Sequence, residues 1–426
     1  MRTGVRRKVG NRGLGGEIIP VPNPSARRSN DIAPEAVLTV ALLMLICIGV
    51  VMVYSASSAT ALLKDASPQG LLIRQGIYAL IGLVVFAACA RFRPSRLLSW
   101  GKPAVMLSFG LLVLVMIPGI GIMVNGSRRW LGAGSVQVQP AEFAKLALIL
   151  WLTAYLCKHA GRLDDMKVLR LPLVLVTAMA ALIILEPDLG TAIVLVGVAI
   201  AMFAIAGTPM RLLGLITAGS LVAGAIGIAA EPYRRSRLFA FMDPWADPQG
   251  AGFQIVQSKL AIGSGGVGGT GLGNGMQKVF YLPEAHTDMI MATVGEELGL
   301  IGIFGVIALI GAIVWSGYRI AQAAPDSRQR LLAGGLTTLI GLQSIVNLGA
   351  VLGMLPVTGV PLPFMSYGGS SLVVFAASSG ILVGIGRRSR ATRVRNLSVV
   401  EGGNGTSRGD RGGRNRRAHH AGARAG

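Results

Sequence analysis

Charge is what this sequence has least of. Asp, Glu, Lys and Arg make up 14% of its 426 residues, against 52% hydrophobic residues. A soluble globular chain carries about a quarter charged residues, so there is too little polar surface here for a cytosolic enzyme. Cysteine is scarce as well. Cys47, Cys89 and Cys157 all lie inside apolar stretches with no Cys-x-x-Cys pair, which supports neither a disulfide framework nor a structural zinc site. Acids are outnumbered 19 to 40, for a net charge of +21, and the excess is uneven: residues 1–35 carry +4 and residues 387–426 carry +9. Beside membrane spans, basic tails mark the cytoplasmic side and its anionic lipids rather than nucleic acid. The polar lead of the chain and the long apolar run behind it read as a retained first span, not as a cleavable signal peptide.

Long apolar runs are what the chain does have. A bilayer core of about 30 Å needs about 20 apolar helical residues. Charge-free runs at 37–63, 103–127, 189–210, 212–230 and 298–318 meet that length, and 331–386 holds two spans around a polar turn near Pro356–Ser370. Shorter runs at 75–90, 146–157 and 171–185 complete the set. The expectation is an all-α polytopic membrane protein with ten transmembrane helices and a large extracytoplasmic loop, about 231–295, between the seventh and eighth. Residues 1–36 and 387–426 are expected to be basic, disordered cytoplasmic tails flanking a membrane domain at 37–386. Arg91, Arg93, Arg96 and Lys102, then Lys158, Arg162, Lys167 and Arg170, then Arg319, Arg328 and Arg330 fall in inside loops of this topology, as the positive-inside rule asks. Arg128–Arg129 and Arg234, Arg235 and Arg237 fall outside, where insertion does not favour them; an anionic ligand on that face is one reason for them. Within the large loop, Phe253, Val256 and Leu260 share one helical face, which predicts a helix lying in the outer interface.

Ionisable groups near spans point to function, and four places qualify. Glu142 and Lys145, three residues apart, share a helix face and can pair; they either offset each other's charge or, with Arg129, present positive charge to a lipid phosphate. Asp188, in Glu186-Pro-Asp-Leu-Gly-Thr, is either a helix cap or a functional carboxylate at the turn between two spans. The stretch GSGGVGGTGLGNG at 263–275 follows no strand and lacks a phosphate-loop ending, so it reads as flexible backbone for close approach of a large substrate. Just beyond it Pro283-Glu284-Ala-His286-Thr287-Asp288 opens the eighth span, with Asp288 either an N-cap or a partly desolvated base. Glu296-Glu297, apolar on both sides, need partners, and the outside arginines are candidates.

The strings VMVYSASS, NGSRRW, QPAE..K, EPDLGT, DPWADPQGAGFQIVQS, AIGSGG, YLPEAHTD, GEELGL and LPVTGVPLPFMSYGGSS run in this order from about residue 37 to 386. Together they closely resemble the SEDS family of cell-wall synthases, the FtsW/RodA/SpoVE group. DPWADPQGAG and YSASS are nearer the division branch than the elongation branch. Met-Ile-Met after Asp288 replaces the usual Phe-Ile-Phe, and Ala141 stands where Ser is frequent. The resemblance implies a peptidoglycan glycosyltransferase that polymerises lipid II at the outer face of the bacterial cytoplasmic membrane, with both termini cytoplasmic. It assigns the essential carboxylate to Asp288. The candidate substrate-binding residues are Arg129, Lys145, Glu142, Trp130, Arg235, Glu284, His286, Glu297 and Ser366. It implies a class B penicillin-binding protein (FtsI-like) and other divisome proteins as partners, no nucleic acid and no organic cofactor. No metal-ligand cluster is visible, so a divalent cation such as Mg or Mn would arrive with the pyrophosphate. A lipid II flippase, an elongation polymerase and a non-catalytic division scaffold remain as alternatives.

Overall fold

The structure is a computed structural model that describes residues 32–63, 69–124, 126–133, 136–280 and 282–404. The apolar runs become helices: α1 Pro34–Leu63, α2 Gln69–Arg91, the short α3 Pro94–Ser99 and α4 Gly101–Met116. Three strands follow, β1 Ile122–Val124, β2 Ser127–Ala133 and β3 Val136–Val138, and then α5 Pro140–Lys158, α6 Met166–Leu185, α7 Leu189–Ile205 and α8 Met210–Ala229. The large loop holds α9 Pro232–Met242, α10 Phe253–Gly265 and the single turn α11 Gln277–Phe280. The chain closes with α12 Ile290–Ala323, α13 Ser327–Val351 and α14 Gly369–Asn404.

Eight of these helices are long and apolar enough to cross a membrane, which makes the chain a multi-pass membrane protein. Two more expected spans are represented by the shorter apolar helices α4 and α7, of 16 and 17 residues. At 1.5 Å per residue each reaches about 25 Å. Helix starts follow local chemistry. Proline occupies the first helical turn of α5 and α9, where its missing N–H costs nothing. Asp165, Asp188 and Asp326 cap α6, α7 and α13 through Lys167, Thr191 and Arg328 backbone N–H groups.

Buried α13 and α14 form the centre of the bundle, whereas α8 buries almost none of its length and packs chiefly on α7 and α9. The α2–α14 seam is close. A Cβ at Gly380 would collide with the Phe86 carbonyl, and one at Gly384 would lie 2.8 Å from the Ala90 carbonyl. This small-xxx-small spacing lets two backbones touch where lipid supplies no hydrophobic drive.

Four expectations are corrected. The fold is not all-α: the run 103–127 stops being helical at Met116 because Pro118, Gly119 and Gly121 break it, and β-branched Ile122 and Val124 then pair with β2 in an antiparallel β1-β2-β3 sheet. The last helix does not end at 386 but continues to Asn404, while residues 1–31 and 405–426, most of the two tails, lie outside the described residues. The helix predicted near 252–262 exists, but Ile255, Val256 and Ala261 turn into protein against α12, with Leu260 left exposed. Last, the glycine-rich stretch packs instead of flexing. A Cβ at Gly265 would strike the Gly295 carbonyl and one at Gly269 the Glu297 carbonyl, so glycine is there to lay backbone on α12.

That helix is itself interrupted. Gly299 takes φ 64°, ψ −160°, a region open essentially to glycine, and a Cβ there would run into the backbone of Gly269 and Val267. We expect Gly299→Ala to cost at least about 1–3 kcal/mol of strain alone, read as a lower thermal midpoint in detergent. Gly305→Ala in the same helix, where the space is open, should leave the midpoint level or raise it.

Candidate active site

A cavity of ≈ 780 Å³ opens where β2, the start of α2, α9 and the segment before α12 converge. Its walls include Arg74 and Tyr78 of α2, Arg129 and Trp130 of β2, and Tyr233 and Arg237 of α9. Glu284, His286 and Asp288 come from the segment before α12, and Tyr367 from the connection to α14. A second hollow of ≈ 420 Å³ shares Tyr233, Arg237, Gln254 and Pro283 with it.

Asp288 is half-buried in this wall. It does not cap α12: the N-cap is Met289, without a side-chain bond. Asn347 Nδ2 donates to the Asp288 carbonyl at 2.8 Å, and Thr287 Oγ1 lies 3.3 Å from its Oδ1. Gly359 faces the other oxygen; a Cβ there would sit 3.9 Å from Oδ2. Burial, reinforced by the Glu284 charge and offset by hydrogen bonds and Arg237, pushes the carboxyl up to about 6. A group of that kind is ionised at neutral pH yet basic enough to take a proton in a transition state.

Opposite charge is supplied by three arginines. Arg237 donates to the Val357 carbonyl at 3.0 Å and lies over the Tyr233 ring, 4.7 Å from its centroid. Arg74 shares the wall with Tyr367, whose ring stands 5.6 Å from His286 and 6.2 Å from Tyr78. Arg129 stitches down the turn between α6 and α7: Nε donates to the Glu186 carbonyl at 2.9 Å, Nη2 to the Pro187 carbonyl, and Nη1 stands 4.0 Å from Asp188 Oδ2. Asp188, the cap foreseen for α7, also takes Gln139 Nε2 at 3.2 Å. In the same turn Glu186 is buried, and its carboxyl is pushed up to about 8 by desolvation and Asp188, against Arg129.

Five of the nominated residues thus meet at the cavity: Arg129, Trp130, Glu284, His286 and Asp288. The others are placed elsewhere. Arg235 is exposed and off the lining, and Arg237, two residues on, takes its place; with α9 starting at Pro232, Arg234 and Arg237 share a face that Arg235 leaves. Glu142 and Lys145 do pair, at 2.8 Å, but both are wholly buried. Lys145 is spent on Gln343 at 2.5 Å and on the Phe375 ring. Ser366 is buried and accepts from Leu362 N at 2.8 Å. Glu297 pairs with Lys278 and not with an outside arginine. Sequence reading passed over Arg74 because the second span was begun one residue after it. Among the described residues no three His, Cys, Asp or Glu side chains converge as a metal cage.

Against known proteins, residues 35–391 match the model of the cell cycle protein family FtsW/RodA/SpoVE. The chain belongs to that family. It is 40% identical to stage V sporulation protein E of Bacillus subtilis over 363 residues, covering 84% of this chain and 98% of the relative. It is 42% identical over 360 residues to a probable peptidoglycan glycosyltransferase FtsW of Geobacter metallireducens, covering 84% and 96%. Among solved structures, a chain of a peptidoglycan synthase complex that coordinates polymerisation and crosslinking matches with TM-score 0.67 and 31% identity, over 83% of this chain and 97% of that one. The rod shape determining protein RodA of Thermus thermophilus matches at 0.59 and 29%, over 82% and 95%. The FtsW/RodA/SpoVE match takes in every wall of the cavity.

Proposed function

We propose that this chain is a peptidoglycan glycosyltransferase that polymerises lipid II at the outer face of the bacterial cytoplasmic membrane during division. The observation that carries it is one basic carboxylate, Asp288, beside Glu284 in a cavity whose walls also carry Arg74, Arg129 and Arg237. The reaction joins a sugar 4-hydroxyl to the anomeric carbon of a second sugar and expels a lipid pyrophosphate, with inversion. The hydroxyl proton passes to Asp288 as general base. Pyrophosphate leaves without an acid's help, and its growing charge calls for fixed cations, the role of the guanidinium groups of Arg74, Arg129 and Arg237. The cavity's own residues offer a divalent ion too few carboxylates for a cage; one arriving on the pyrophosphate would add charge without a protein ligand set.

The same reading takes α4 and α7 as spans, for ten in all, with both termini cytoplasmic and a class B penicillin-binding protein as partner. The division branch is favoured by DPWADPQGAG and by FtsW-named relatives at 42% identity. The test is polymerisation of lipid II by the purified protein with and without that partner. Lipid II moved across vesicles with no glycan formed would favour the transporter reading. We expect Arg129→Ala to raise KM for lipid II about tenfold or more, since a charged hydrogen bond is worth about 1.5–3 kcal/mol. An unchanged KM over a range of substrate concentrations would remove Arg129 from the phosphate site.

A further inference from the structure

The residue proposed as base sits on a piece of backbone that its own helix does not hold. The Gly299 break separates residues 290–298 from the long membrane part of α12, so another anchor must fix the segment. At its near end the anchor is Asn347 on the Asp288 carbonyl. At its far end are two adjacent carboxylates. Glu296 Oε1 accepts backbone N–H groups of Met276 and Gln277 at 2.6 and 3.0 Å. Glu297, fully buried, takes the Lys278 ammonium, Ser55 Oγ at 2.7 Å and Gly273 N at 3.2 Å. Lys278 Nζ in turn donates to Ser55 Oγ at 2.9 Å and to the Gly273 carbonyl at 3.1 Å. Three elements distant in sequence, α1, α11 and α12, therefore close on one ion pair. Thr270 N and Gly271 N bond the Glu296 and Glu297 carbonyls beside it, at 2.9 and 3.0 Å.

We propose that Ser55, Lys278 and Glu297 are positioning residues: a buried node that ties the first turns of α12, which Asp288 immediately precedes, to α1 and sets where the carboxylate stands. This rests on Asp288 as the base. The cavity arginines lie on α2, β2 and α9, so loosening the node shifts the base and leaves charge recognition in place. The signature is a fall in kcat with KM unmoved, because a misplacement of about 1 Å can cost about 10²-fold.

Lys278→Met would strand a buried carboxylate and endanger folding, so Ser55→Ala is the working variant: it removes the hydrogen bonds from α1 to the node while the ion pair and the packing of α1 on α12 stay. In purified full-length protein, Ser55→Ala should lower kcat at least about fivefold with KM for lipid II within about twofold, and Ser55→Thr, which keeps the hydroxyl, should restore it. Hydrogen exchange in 289–298 should quicken in Ser55→Ala and not in Ser55→Thr. Wild-type kcat in Ser55→Ala, a rise in KM alone, or unchanged exchange would overturn the node. If the wild-type protein makes no glycan, the catalytic reading falls, and the exchange result alone decides whether the node holds the segment.

Discussion

Asp288→Asn should lower glycan polymerisation about 10³-fold, within the range of about 10²–10⁴ attributed to general base catalysis, while the protein still inserts and folds. The side chain of Asp288 caps no helix, and the contact holding this position, Asn347 Nδ2, is made to its backbone carbonyl. The amide is isosteric and relieves the cost that burial imposes on the ionised form. Wild-type activity should also have an acidic limb. Because the carboxyl is raised from about 3.8 to about 6, the base form is lost as pH falls through about 6, and the rate of the chemical step falls with it. Were Asp288 an acid, the rate would instead fall as pH rises through that value. A rate flat from pH 5 to 8, or strand synthesis by Asp288→Asn at the wild-type rate, would end its role as base.

Lys145→Met should destabilise the protein by about 3–5 kcal/mol, the usual cost of stranding one partner of a buried ion pair. Lys145 and Glu142 are both wholly buried. From Lys145 the contacts run through Gln343, whose amide donates to the Pro361 carbonyl at 3.0 Å, and Pro361 belongs to the cavity wall. The pair thus props the floor of the cavity without entering it. Lys145→Met/Glu142→Gln, which removes both charges, should recover most of the loss. Thermal midpoints in detergent check both variants. Were Lys145 a phosphate ligand, Lys145→Met would retain its stability and raise KM for lipid II.

Much of the bundle was legible because membrane helices announce themselves: helices stand at all ten expected positions, and the Asp188 cap of α7 was readable from its own sequence. What periodicity could not supply was the partner of each charge. Glu142 and Lys145 share a face in the sequence, but only packing shows that the face looks inward. Glu297 and Lys278 are 19 residues apart across a loop, and Ser55 lies 242 residues from Glu297; no local pattern joins them. The glycine-rich stretch invited a flexible reading because composition reports freedom in the unfolded chain and says nothing of a neighbouring backbone. Arg237 was displaced by Arg235, two residues before it, for want of a helix start to tell which arginines share a face.

The two sides of the cavity differ in how firmly they are fastened. Arg74 and Tyr78 ride on α2, whose backbone is pressed against α14 at Gly380 and Gly384 and has no slack to yield. Arg237 and Tyr233 ride on α9, next to a helix that buries almost nothing. Under the proposed function, the α8 flank, where little protein stands behind the wall, is the side that offers least resistance to a bulky sugar-linked lipid.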